Sequence, residues 1–146
     1  MNYRFATKDD ATEIKRLLAE TDLHHEDITP SLLRHFLLGF DGSRLVAVVG
    51  LEIKIQSALL RSLAVDAKFR NRGIAAELVG KIESHARSLN VKTLYLLTLT
   101  AERFFAKYGY QRVERDSAPA GIQATAEFQT LCPASAICMV KQLGNG

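Results

Sequence analysis

The strongest constraint on this chain lies between Ala58 and Thr98. An apolar run, 58–66, predicts a strand that ends in a short loop rich in Arg and Gly. A helical pattern follows over 72–90. Ile74, Leu78, Ile82, Ala86 and Leu89 form its apolar stripe, and Glu77, Lys81, Ser84 and Ser88 face the other way. Next comes a β-branched and aromatic segment, 92–98, that reads as a second strand. Two neighbouring strands joined through one helix must run parallel, because a tight hairpin cannot connect them. A chain with this unit is built around a sheet.

The other segments arrange themselves beside that unit. A short strand is predicted at 3–6. Asp10-Ala-Thr-Glu13 has the spacing of a capping box, and Ala11, Ile14, Leu17 and Leu18 recur at helical spacing after it. Residues 21–30 form a polar loop carrying His24 and His25, and 31–36 suggest a short second helix. Residues 37–41 and 44–55, joined at Asp41-Gly42-Ser43, read as a hairpin. The unbroken apolar stretch 45–51 predicts a strand covered on both faces. A helix over 101–108 with Gly109 as its C′ residue, a strand over 110–115, a weaker helix opened by Pro119 and reaching Thr130, and a last strand over 134–141 complete the order. The fold class is α/β with a mixed sheet and helices on both faces, in one domain over 1–143 with a frayed tail at 144–146.

Composition sets the limits on function. In 146 residues, 47% apolar and 24% charged, there is room for one ordinary core and no sign of disorder. The longest apolar runs are too short for a membrane span, and Met1-Asn2-Tyr3-Arg4-Phe5 has no signal core, so the expected compartment is the cytoplasm. Nineteen basic residues against sixteen acidic ones, with no basic run, speak against a nucleic-acid partner. Two cysteines, Cys132 and Cys138, read as reduced thiols. No metal is expected, since His24 and His25 are adjacent and no HExxH occurs.

The chemistry concentrates at the junction of strand and helix. Unpaired N–H groups at a helix N-terminus attract an anion, and a glycine lets it approach the backbone. Arg70, Asn71, Arg72, Gly73, Ile74 and Ala75 therefore suit a pyrophosphate, although a glycine beside two arginines also serves plain capping. The spacing fits neither GxxxxGK[ST] nor GxGxxG.

The stretch V-D-A-K-F-R-N-R-G-I-A resembles motif A of the GNAT superfamily of acyl-CoA-dependent N-acetyltransferases, and F-F-A-K-Y-G-Y, from Phe104, resembles its motif B. Leu59-Leu-Arg-Ser-Leu-Ala-Val65, Leu97-Thr-Leu-Thr-Ala-Glu102, Ala124-Thr-Ala-Glu-Phe128 and Leu131-Cys-Pro-Ala-Ser135 are similar to a small-amino-acid branch. That branch includes arsenic-resistance N-acetyltransferases and resembles the catalytic domain of N-acetylglutamate synthases. The resemblance implies a GNAT fold, acetyl-CoA (coenzyme A) as cosubstrate, a small-molecule amine as acceptor, and a homodimer as a common family form. It implies that residues 70–75 hold the pyrophosphate and that the backbone at Leu63 and Val65 pairs with the pantetheine arm. Thr98 falls where an Asn is common, and Phe104 and Lys107 fall at the cofactor's far end. The N–H of Leu63 or of Ala64 is the expected oxyanion donor. Phe105 stands where many relatives carry a tyrosine general acid, so thiolate must leave unassisted or another group must serve.

Two residues are assigned by position. Glu52, at the end of an apolar strand, is the candidate base, because burial favours a carboxyl able to hold a proton; a solvated strand-end glutamate is the plainer reading. Arg61, on the next strand, suits the grip of an acceptor carboxylate through two parallel bonds; an ion pair with Glu52 is its plainer reading. Acetyl transfer by direct attack is the expected activity. Protein or peptide acetylation and non-catalytic acyl-CoA binding are the alternatives.

Overall fold

A computed structural model describes residues 1–144. Of the expected tail, residues 145 and 146 lie outside the described residues. Seven strands form one mixed sheet in the order β1-β2-β3-β4-β5-β7-β6. They are β1 (Asn2–Phe5), β2 (Phe36–Asp41), β3 (Arg44–Lys54), β4 (Ser57–Val65), β5 (Thr93–Thr98), β6 (Gln111–Val113) and β7 (Ile137–Gln142). Among the described residues five α-helices accompany them: α1 (Ala11–Glu20), α2 (Pro30–Leu33), α3 (Ile74–Ser88), α4 (Glu102–Lys107) and α5 (Ala120–Gln123). The chain divides into two compact units, one of Met1–Glu52 with Arg61–His85, the other of Ile53–Leu60 with the residues from Ala86 onward.

In the first unit β1 and β2 run antiparallel, Asn2 facing Phe40 and Phe5 facing Leu37. The hairpin of β2 and β3 closes with Asp41 opposite Arg44, and Gly42 takes a φ of +61° in the turn. A positive φ at that position costs little without a Cβ. Residues 45–51 of β3 are all buried, as a strand covered on both faces requires. Ile14, Leu17 and Leu18 on one face of α1 pack with Leu33, Phe36, Leu38, Leu45 and Val48. Phe36 belongs to β2, so the expected second helix over 31–36 is shorter, stopping at Leu33.

The capping box lies one turn before the expected place. Thr7, in extended backbone, accepts from the Asp9 N–H, and Asp10 accepts from the Thr7 N–H at 2.8 Å. Asp10 has helical backbone and also receives both Arg4 Nη groups at 2.9 Å. Those Arg4 bonds pull its carboxyl down to about 2, against the opposing effect of burial.

Helix α3 begins at Ile74 rather than Arg72 because Gly73 holds φ +78°, outside the helical region. Its buried stripe includes Ile74, Leu78 and Ile82. Leu89, expected on that stripe, is 40% exposed, since the helix stops at Ser88 and Asn90 turns left-handed.

In the second unit β4 pairs parallel with β5, from Ser57 opposite Thr93 to Leu59 opposite Tyr95. Strand β7 then inserts antiparallel between β5 and β6. The expected helix from Pro119 to Thr130 is broken into α5 and a π turn at Glu127–Leu131. Buried Thr125 donates to the Ile122 carbonyl at 2.7 Å, a side-chain bond that competes with the helical ladder. Arg115 gathers the carbonyls of Phe128, Cys132 and Pro133 at 2.8, 3.1 and 2.7 Å, which holds the following loop. Leu59, Ala118, Ile122, Phe128 and Cys138 form the core beneath.

Packing is tight at Gly50, where an added Cβ would overlap the Phe36 ring. Gly50→Ala is expected to destabilise the fold by about 1–3 kcal/mol, read from urea unfolding, whereas Gly80→Ala, inside α3 with open space at its Cβ position, is expected to stabilise it by about 0.5–1 kcal/mol.

Candidate active site

Strand β4 carries three of the predicted site residues, Arg61, Leu63 and Val65. In its middle Ser62 adopts φ +61°, a left-handed conformation in a residue that is 8% exposed. Backbone of this kind interrupts a strand's regular alternation and re-aims the N–H groups beside it. Leu63, the next residue, is half-buried, and Val65 closes the strand.

After β4 the chain is tied down step by step. Asp66 donates its N–H to the Val46 carbonyl at 2.7 Å and caps the 3₁₀ turn Ala67–Phe69 by accepting from the Lys68 N–H at 2.9 Å. That backbone bond holds its carboxyl below the ordinary value, against the opposing effect of burial, with Arg44 at 3.2 Å adding to it. Arg70 donates Nε to the Val65 carbonyl at 3.2 Å. Arg72 donates to the Lys68 carbonyl at 3.2 Å and lies over the Phe69 ring. Asn71 and Gly73 both have left-handed φ, at +65° and +78°. Residues 70–73 are exposed while Ile74 is buried, so the loop is anchored on its helix side and open above. A Cβ at Gly73 would meet nothing within 4 Å. Packing inside the protein therefore does not demand glycine there. The backbone angle does, and so would an anion laid against the N–H groups of the first turn of α3.

The second feature is an ion cluster. The Arg61 guanidinium, with its side chain 0% exposed, forks onto Asp27 with bonds of 2.5 and 2.6 Å. Its Nη1 also reaches Glu52 at 3.0 Å, and its Nε donates to the Ser62 hydroxyl at 3.2 Å. The plainer reading of Arg61, an ion pair with Glu52, is present, and a carboxylate of the protein itself, Asp27, occupies the fork. Burial works to raise the Asp27 carboxyl, but the Arg61 hydrogen bonds and charge outweigh it and hold the group below the ordinary carboxylate range. Asp27 was not legible as a site residue. It sits in the polar loop between α1 and α2, where an acidic residue is unremarkable, and only the tertiary contact singles it out.

Thr98, Phe104 and Lys107 belong to the second unit. The Thr98 hydroxyl accepts from the Ala101 N–H at 2.9 Å, fixing the turn into α4. Phe104 packs against Phe105 and Tyr108, and Lys107 lies over the Tyr108 ring. Phe105 is buried edge-on against Tyr110, centroids 5.3 Å apart. Cys138 is buried, which pushes its thiol up to about 11, and Cys132 is half-buried. Burial also lowers His35 and His85, whose rings meet at 3.2 Å. Among the described residues no cluster of three or more His, Cys, Asp or Glu could hold a metal ion, and no helix is long and apolar enough to cross a membrane.

A family profile described as Acetyltransferase (GNAT) family matches residues 4–110. The chain belongs to the GNAT acetyltransferase family. An amino-acid acetyltransferase of Pseudomonas syringae pv. tomato is 34% identical over 74 residues, 51% of this GNAT chain and 17% of that protein. An uncharacterised N-acetyltransferase of Chlorobaculum tepidum is 37% identical over 93 residues, 61% of this chain and 57% of the relative. This chain therefore matches well under two thirds of either relative's length. The fold is shared with N-acetylglutamate synthase from Neisseria gonorrhoeae, solved with coenzyme A and L-arginine. That structure is 19% identical with a TM-score of 0.82, over 98% of this chain and 33% of that one. A Mycobacterium tuberculosis protein solved in complex with CoA gives a TM-score of 0.80 at 20% identity, over 97% of this chain and 99% of its own.

Removing a buried guanidinium strands its carboxylates. Arg61→Met is expected to lower stability by about 3 kcal/mol at pH 7, measured by urea unfolding. The folded Asp27 carboxyl lies below its unfolded value near 4. Its stabilising contribution is therefore complete above that value and fades as pH falls through the folded one. The gap between wild type and Arg61→Met should accordingly narrow from pH 6 to pH 3.

Proposed function

We propose that this chain transfers the acetyl group of acetyl-CoA to the amine of a small amino acid or amino-acid-like compound. The observation that carries the reading is the junction of β4 and α3. Its exposed loop, left-handed at Asn71 and Gly73 with open space over Gly73, suits a pyrophosphate laid on the first turn of a fifteen-residue helix. In this reading Arg70, Asn71, Arg72, Gly73, Ile74 and Ala75 cradle the phosphates. The backbone of Leu63 and Val65 pairs with the pantetheine arm in the manner of an added strand. The similarity to amino-acid acetyltransferases supports the acceptor class.

Chemically the reaction is one displacement. The amine nitrogen forms a bond to the thioester carbonyl carbon, and the carbonyl π electrons move onto oxygen. Leu63 N–H, beside the left-handed Ser62, donates to that oxyanion. Glu52 accepts the proton the amine loses, directly or through one water. The oxyanion then re-forms the carbonyl as the C–S bond breaks. Phe105 has no proton to give, and thiolate leaves without it, as the modest basicity of a thiolate (pKa of about 8.5) allows. The acceptor carboxylate is assigned to Arg61, whose guanidinium already holds one carboxylate, that of Asp27, in two parallel bonds.

Release of CoA from acetyl-CoA, followed with a thiol reagent against amino acids, phosphinothricin-type analogues and a lysine peptide, tests this. Release with an amino-acid-like amine is expected. Gly73→Trp should raise KM for acetyl-CoA at least about tenfold by filling the cradle and straining the left-handed backbone. Release with the peptide alone would replace this reading by protein acetylation. Acetyl-CoA binding without release on any of these amines would favour a binding module.

A further inference from the structure

We propose that Asp27 is an internal latch that occupies the acceptor-carboxylate site of Arg61 until an acceptor carboxylate displaces it. The inference rests on the reading of the Arg61 cluster as the acceptor side, and it assigns a role to a residue outside the sequence motifs.

Geometry leads to it. The Asp27 carboxylate makes the two parallel bonds that an acceptor carboxylate would make to the same guanidinium, at 2.5 and 2.6 Å. No acceptor can use that fork while Asp27 holds it. The Arg61 side chain is 0% exposed, whereas that of Asp27 is 19% exposed. Anything approaching from solvent therefore meets the Asp27 and Glu52 carboxylates before the guanidinium. Asp27 lies in the loop 21–29 between α1 and α2, whose residues are mostly half-exposed, and its neighbour Ile28 is buried in the core. Ile28 is a fixed point about which the preceding residues can swing while the loop stays attached.

Electrostatics make the latch selective. Opening the latch with no replacement would take two charge-assisted bonds from a buried guanidinium and leave Glu52 as its carboxylate partner, so Asp27 leaves when another carboxylate takes its place. A neutral amide or a bare amine cannot make that exchange. Glu52 stays on Nη1 throughout, at 3.0 Å, and remains next to the incoming amino acid. The displaced Asp27 carboxylate goes to water, which its partial exposure permits. A closed latch weakens apparent affinity by the fraction of molecules that are open, and leaves the chemical step alone.

The test uses Asp27→Ala and Asp27→Asn in the full chain, the second keeping the volume should the first fail to fold. Thermal unfolding is measured in sodium acetate and in sodium chloride at equal ionic strength. Acetate should raise the midpoint of either variant by several degrees over chloride, and leave wild type unchanged, because only in the variants does the fork lack the Asp27 carboxylate. In the CoA-release assay, Asp27→Asn should lower KM for the amino-acid acceptor about tenfold, with kcat within twofold and KM for acetyl-CoA unchanged. The same acceptor with its carboxylate converted to an amide should show no such gain. A purely structural Asp27 could also be rescued by acetate, but it would leave KM for the acceptor unchanged or raised. Equal midpoints in acetate and chloride for the variants overturn the proposal. A higher KM for all amines also overturns it, since Asp27 would then be binding the acceptor ammonium. Acetate rescue with no CoA release from any amine upholds the carboxylate receptor and overturns the acetyl-transfer reading. Release with an unchanged KM does the reverse.

Discussion

A guanidinium with no exposure to water stands in the middle of β4, and the surroundings of that strand are arranged to satisfy it. Asp27 takes two of its donors, Glu52 a third contact and Ser62 the Nε. The cost of an uncompensated charge in this position is several kcal/mol. That cost brings a loop, the end of β3 and a left-handed strand residue to one point. The loop between α1 and α2 must come down on β4, and Ile28 gives it an apolar anchor beside the ion pair. Glu52 must lie near the end of β3, where burial has begun to relax and a carboxylate is tolerable.

From that point the chain runs directly into the helix junction. The same strand that buries Arg61 ends at Asp66, whose carboxylate caps the turn leading to α3. Arg70 reaches back to the Val65 carbonyl, so the loop is closed upon the strand that feeds it. Two left-handed residues then leave the loop open above and the helix start ordered below. The ion cluster on β4 and the open loop beyond the strand's end are thus consecutive along the chain.

Much of the fold was legible because it rests on local periodicity. The stripe of Ile74, Leu78 and Ile82, the unbroken run 45–51 and the Gly42 turn each report their own environment within a few residues. Motif A was legible for a similar reason, since loop glycine, flanking arginines and helix start are contiguous. Misreadings came where a competing contact lies elsewhere. Asp10 looked like a cap, yet Arg4 and Thr7 claim its carboxylate and move the box back to Thr7. The helix expected from Pro119 breaks because Thr125 turns its hydroxyl on its own backbone and Arg115 draws the later carbonyls away. Leu89 left the stripe because the helix ended one residue short.

By itself the sequence determined the α/β class, the parallel unit of β4, α3 and β5, the loop that suits an anion, and the membership of a family whose motifs are short and contiguous. These depend on spacing along the chain, and spacing is visible in one dimension. Tertiary structure alone decided that β7 lies between β5 and β6, that Ser62 turns left-handed within a strand, and that the Arg61 fork is held by Asp27. Each of these joins residues far apart in sequence or trades a local preference against a distant contact. The Arg61–Asp27 pair shows it most plainly. Thirty-four positions separate the two residues, and neither signals the other until burial has removed the water that would otherwise have satisfied both.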